Sequence, residues 1–145
     1  MYSFEDFSRD VKSRVRLLNR RLERADATWP GVLILDCPNG LSADAFELSD
    51  DPAARDELVS VLTQEIRRSY ARRFCWVMPV WRGDPLRESL LLAIGERNRV
   101  EVALADIYRS PTRPPRLAPW VEAEVPDEAL ITSRFVDQLI EALWR

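Results

Sequence analysis

Histidine is absent from this chain, and Lys12 is its single lysine beside twenty arginines. Imidazole is the side chain used most for proton transfer near neutral pH and for metal ligation, so both chemistries lose their commonest residue. The near-absence of lysine leaves almost no group for Schiff bases or for a Walker-type phosphate loop. Glycine is scarce as well, with four residues and no cluster that would cradle a phosphate. Cys37 and Cys75 stand far apart, without the close spacing of a metal knuckle or a redox pair. No apolar run approaches the ~20 residues of a membrane span. Residues 1–6 are acidic and carry neither the basic nor the apolar stretch of an export signal. These absences lead us to expect a cytoplasmic location, buried reduced thiols, and neither a metal nor a cofactor.

What is present suits one globular domain. A chain of 145 residues is too short for two sizeable cores, and its apolar fraction of 46% lies far above the disordered range. Thirteen aromatic residues, five of them Trp, supply bulk for a core. The net charge of −3 argues against general nucleic-acid binding.

Local pattern then assigns the elements. Ser3 and Asp6 form a capping-box pair, and Phe4, Phe7, Val11, Val15, Leu18 and Leu22 recur at helical spacing on one stripe. Arg9, Lys12, Arg16, Arg20 and Arg24 fall opposite, and Trp29-Pro30 ends the helix. Val32-Leu33-Ile34-Leu35 reads as a short buried strand closed by Pro38-Asn39-Gly40. Residues 41–50 are polar and read as a loop or a single turn. Asp51-Pro52 opens a second helix with Leu58, Val61, Leu62, Ile66 and Tyr70 on its apolar face.

Residues 74–81 read as a strand that is at an edge or bulged at Pro79, which cannot donate to a ladder. Residues 84–109 admit two readings. One is a helix after Asp84-Pro85, giving a parallel sheet. The preferred one is a hairpin turning at Arg97-Asn98, which sets Glu96 against Arg99, Leu92 against Ala103 and Leu90 against Ala105. Residues 111–116 read as a polyproline-like connector, and residues 120–125 as a short edge strand. A last helix from about Thr132 presents Val136, Leu139, Ile140, Leu143 and Trp144. The expected fold is α+β: three to five mainly antiparallel strands flanked by N-terminal, central and C-terminal helices. A small three-layer α/β fold with a parallel sheet is the alternative.

Motifs for chemistry are thin. Asp36 and Cys37 follow the first strand, where a parallel sheet would place a site; a strand ending in a tight turn, with Asp36 bonding its own loop, explains them as well. The carboxylate pairs Asp50-Asp51, Asp56-Glu57, Glu122 with Glu124, and Asp127-Glu128 read as helix-start or solvated charges rather than catalytic dyads. Glu88, Glu101 and Asp106 read as solvent-facing alternates on a half-exposed sheet. No catalytic residue is therefore assigned.

The Trp, Arg and Pro content around residues 76–82 and 111–120 is the more informative feature, because Trp and Arg are enriched at interface hot spots. Trp76, Trp81, Arg82, Arg113, Arg116 and Trp120 are the candidate partner-binding residues. The expected function is a non-catalytic protein-binding domain of adaptor, chaperone or immunity type, taking another protein or a second copy of itself. One alternative is a small enzyme using Asp36, Cys37 and residues 81–84. The other is nucleic-acid binding through the Arg-rich first helix.

Overall fold

A computed structural model describes every residue except 23, 25, 26, 125–132 and 145, together with the side chains outside Ser133. The expectations that fall on Glu23, Val125, Asp127, Glu128 and Thr132 lie outside the described residues. The elements run α1 (Phe4–Arg20), β1 (Gly31–Cys37), β2 (Gly40–Phe46), α2 (Pro52–Arg68) and β3 (Arg73–Arg82). They continue as β4 (Arg87–Glu96), β5 (Arg99–Ser110), β6 (Arg113–Leu117), β7 (Val121–Ala123) and α3 (Ser133–Ala142).

The strands form one sheet in the order β2-β1-β3-β4-β5-β6, with β7 pairing a different stretch of β5 than β6 does. Every pairing is antiparallel. The α+β class holds, while the parallel alternative does not, and among the described residues seven strands replace the expected three to five. Two of the additional strands come from segments read as irregular. Residues 40–46 pair in full register with β1, and residues 113–117 pair with β5. Both lie toward the sheet margins, where a strand need not alternate apolar and polar residues and where proline is tolerated.

The β4–β5 hairpin has the expected register, with Glu96 opposite Arg99, Leu92 opposite Ala103 and Leu90 opposite Ala105. Pro79 sits in a central strand, paired with Leu90 on β4. On the other side of β3 the β1 pairing stops at Val77, so Pro79 meets a locally open margin. Residues 121–123 form the short strand expected near Trp120.

Strand parity builds two cores. Phe74, Trp76, Met78 and Val80 of β3 face α2 and α3 with Leu91, Ala93, Val102 and Leu104, and there they meet Leu62, Ile66, Val136, Leu139 and Leu143. Cys75, Val77, Leu90, Leu92, Ile94 and Ala103 face the other way, onto Phe4, Phe7, Val11 and Val15 of α1. The capping box on Ser3 is complete: Asp6 N–H donates to Ser3 Oγ and Ser3 N–H to the Asp6 carboxylate. The first helix ends at Arg20, ahead of the Trp29-Pro30 stop. On α2, Leu62 and Ile66 are buried and Leu58 is half-buried, whereas Val61 and Tyr70 are exposed instead of lying on the apolar face. Trp144 is likewise exposed, with the Arg97 guanidinium 5.1 Å from its ring centre.

Buried polar groups lock α1 onto the far margin of the sheet. Trp29 Nε1–H donates to Asn19 Oδ1 at 3.0 Å, and Asn19 Nδ2–H donates to the Pro115 carbonyl at 3.0 Å. Lys12 Nζ and Ser8 Oγ both donate to Glu101, at 2.8 and 2.7 Å.

Candidate functional site

The antiparallel topology separates the two ends of the sheet. Asp36 stands beside Arg73 at the start of β3, and Asp84 follows its far end. At ~3.3 Å per residue, the ten residues of β3 put roughly 30 Å between these levels. The pocket that would join Asp36 to residues 81–84 in the enzyme alternative therefore does not form. Asp36 does not bond its own loop through its carboxylate either. Arg73 Nη1 donates to it at 2.7 Å, and Arg73 Nε donates to Glu96 at 2.9 Å, so one arginine ties β1, β3 and β4 together. Burial works against the Arg73 charge, but Glu96 and Asp36 outweigh it and hold the guanidinium firmly protonated.

Above this ion-pair group lies a cleft of about 640 Å³ between Pro38, Tyr70 to Arg72 and the Arg97-Asn98 turn. Tyr70 occupies the left-handed region at φ 55°. Its N–H donates to the Arg67 carbonyl while Ala71 N–H donates to Ile66, the paired bonds of a Schellman helix end. Glycine is the usual residue at that position, so the side chain of Tyr70 is accommodated at some backbone cost.

The opposite end, around the β3–β4 turn, carries two further exposed aromatics and an exposed leucine. Trp81 is 59% exposed, Leu86 66% and Tyr108 59%. By strand parity Trp81 continues the α1 face and Tyr108 the α2/α3 face, with Leu86 at the turn between them, so the three wrap the sheet end. The polar groups among them are organised. Ser89, fully buried, donates to Asp106 at 2.7 Å, and Arg82 donates to both Ser89 and Asp106 at 3.1 and 3.2 Å. The Ser89 bond, backed by Arg87 and Arg82, holds the Asp106 carboxyl below the ordinary carboxylate range. On the other face Arg109 makes a two-pronged contact with Glu88, at 2.7 and 2.8 Å.

Glu88, Glu101 and Asp106 are thus ion-paired anchors rather than solvated alternates. Such an arrangement pre-orders the surface: its charged groups are held in place and its apolar groups stand free.

The six sequence candidates divide accordingly. Trp76 is 1% exposed and belongs to the core between sheet and helices, so it presents no surface to a partner. Trp120 is half-buried against α1, with the Arg16 guanidinium 5.3 Å from its ring centre. Trp81 and Arg82 stand together at the β3 end, and Arg113 and Arg116 are exposed on β6, two strands away from β4. Arg113 and Arg116 make no ion pair among the described residues. Leu86 and Tyr108 were not singled out in the sequence. Tyr108 shares parity with the buried Val102 and Leu104 but lies four residues past Leu104, beyond the buried part of that face.

The basic stripe of α1 is largely engaged within the fold. Lys12 pairs with Glu101, Arg16 donates to the Leu117 and Ala118 carbonyls, and Arg9 lies 3.4 Å from both Asp6 and Asp10. Among the described residues no three His, Cys, Asp or Glu side chains cluster as metal ligands. Among the described residues no helix is long and apolar enough to cross a membrane.

Fold and surface together define an α+β domain whose antiparallel sheet is covered by helices on both faces and uncovered at its ends. No family model matches the chain, and neither a curated protein nor a solved structure matches it.

Proposed function

We propose that this domain is a non-catalytic protein binder whose partner, another protein or a second copy of the chain, seats on the β3–β4 end of the sheet. One observation carries the reading: Trp81, Leu86 and Tyr108 stay more than half exposed at the β3–β4 end of a sheet whose central strands are covered by helices on both faces. Large apolar side chains exposed together at one end of a sheet, on its two faces and at the turn between them, mark a candidate interaction surface, unlike single scattered ones.

The polar surroundings favour an acidic rim on the partner. Arg82, Arg87, Arg109, Arg113 and Arg116 outnumber Asp84, Glu88 and Asp106 at this end, although the whole chain is at −3. Local charge of this kind steers association and selects among partners more than it adds affinity. Pre-organised arginines also lose less side-chain freedom on binding.

The test is capture by the tagged protein from its native host, compared with a Trp81→Ala/Tyr108→Ala double variant and with a Glu57→Ala control on the exposed face of α2. The reading requires the double variant to lose the captured protein, or to lose self-association in light scattering, at unchanged melting temperature. Equal capture and equal mass for all three proteins would refute it.

A further inference from the structure

We propose that β2 is an assembly edge: two copies of this chain pair through it, antiparallel about a two-fold axis at Ala43, and their sheets become one. This surface is distinct from the β3–β4 end, and the inference does not rest on the reading given for that end.

The two margins of the sheet are built differently. At one margin β7 is three residues long, and β6 carries Pro114 and Pro115. The Pro115 and Leu117 carbonyls there accept from Asn19 and Arg16 of α1. Short strands, prolines and covering side chains are the usual means of closing an edge to further pairing. Strand β2, at the other margin, has none of them. Its seven residues pair in unbroken register with β1, so no bulge bends it away, and it contains neither proline nor a basic residue. In an antiparallel pair every second residue turns its N–H and C=O away from the neighbour. Among the described residues those outward groups of β2 have no hydrogen-bond partner, and Ala43, Asp44 and Ala45 are exposed.

The sequence of the strand selects a second copy as the occupant. Centred on Ala43, all seven positions find a counterpart: Leu41 stands opposite Ala45, Ser42 opposite Asp44, and Ala43 opposite itself. Asp44 has no ion pair among the described residues, and the Ser42 hydroxyl has only a 3.8 Å contact with Cys37 Sγ. The Ser42 hydroxyl of each copy is then placed to donate to the Asp44 carboxylate of the other, twice by symmetry. Moving the centre to Asp44 would set like charges opposite each other, which disfavours that register. An interface of this symmetry closes as a dimer and does not propagate. One strand edge buries little area, so the association is reversible.

Sedimentation velocity across roughly 5–500 μM, a range suited to a small interface, reads the assembly. A dimer that grows with concentration is expected for the wild type and for Trp81→Ala/Tyr108→Ala. Ala43→Lys should weaken it about tenfold or more at an unchanged melting temperature. Register is read separately by air oxidation of Ala43→Cys and of Ala45→Cys, each in a Cys37→Ser background. Facing Cα atoms lie about 4.5–5.5 Å apart, within disulfide reach, whereas the two copies of position 45 would be roughly 13 Å apart. Ala43→Cys should therefore cross-link to a dimer, and Ala45→Cys should not; this pair decides the matter if Ala43→Lys disturbs the fold. The proposal is overturned if the wild type stays monomeric throughout, if folded Ala43→Lys dimerises as readily, or if both cysteine variants cross-link alike. It is equally overturned if β2 takes an extended segment of a different protein instead, or if Trp81→Ala/Tyr108→Ala abolishes the dimer, which would place self-association at the β3–β4 end.

Discussion

Cys75 and Cys37 lie on neighbouring strands, yet their environments differ sharply. Cys75 is fully buried under α1, and burial, with the Glu101 charge adding to it, pushes its thiol far above the ordinary range. Cys37 is half-buried at the end of β1, with its sulfur 3.8 Å from Ser42 Oγ. Only the thiolate reacts, so Cys75 should be inert in the native protein. A thiol-disulfide reagent at pH 8 should therefore titrate one thiol in the folded chain and two in denaturant; two rapid equivalents without denaturant would contradict this placement. Gly95 shows the same dependence on close packing. A β-carbon there would lie 2.5 Å from the Phe74 ring directly opposite it, so glycine at this position lets a bulky ring lie flat across the sheet. Trp76 illustrates what single residues conceal in the sequence. Its parity with Phe74, Met78 and Val80 marks it for the core, whereas Trp81, of opposite parity and beyond Pro79, emerges at the sheet end.

The elements are held together by a few buried polar contacts that periodicity does not reveal. Asn19→Ala would leave both the Trp29 indole and the Pro115 carbonyl without partners, at a cost of about 1–3 kcal/mol, measurable as a lower urea midpoint. Glu101 couples α1 to β5 and makes that coupling depend on acid. Burial raises its pKa, but the bonds from Lys12 and Ser8 outweigh burial and hold it below its usual range. The unfolded chain then takes up that proton first as pH falls. The contribution is intact above the ordinary Glu value of about 4.3 and is lost as pH drops through the lower folded value. Glu101→Gln should consequently lose less stability than wild type between pH 6 and 3; parallel curves would show that the pair does not act in this way. The same distinction explains what was legible. Helix α1 and the β4–β5 register were readable, because burial of one face imposes a period and a capping box and cross-strand pairs mark the ends. Strand β2 was not, since a margin strand with Ser42 and Asp44 exposed or half-exposed has no apolar alternation to read. Nor was β6, whose prolines suggest a connector but are acceptable on a strand that needs few donors. The anchor roles of Glu88, Glu101 and Asp106 depend on partners distant in sequence, such as Lys12 for Glu101, and no local pattern encodes them.

At the scale of the whole molecule, helices cover the central strands on both faces, and the two ends of the sheet differ in character. One end joins Tyr70 and the Arg73 ion pairs around an open cleft; the other places Trp81, Leu86 and Tyr108 among ordered arginines. The second grouping has the composition in which binding energy concentrates. Photo-crosslinking from a benzoylphenylalanine placed at position 81, in the native host, reads this surface directly, with position 57 on α2 as the reference. The account predicts one discrete adduct from position 81, either with another protein or with a second copy, that disappears when Tyr108→Ala is added and is absent from position 57. Adducts of equal yield and pattern from both positions, or none from position 81, would contradict it.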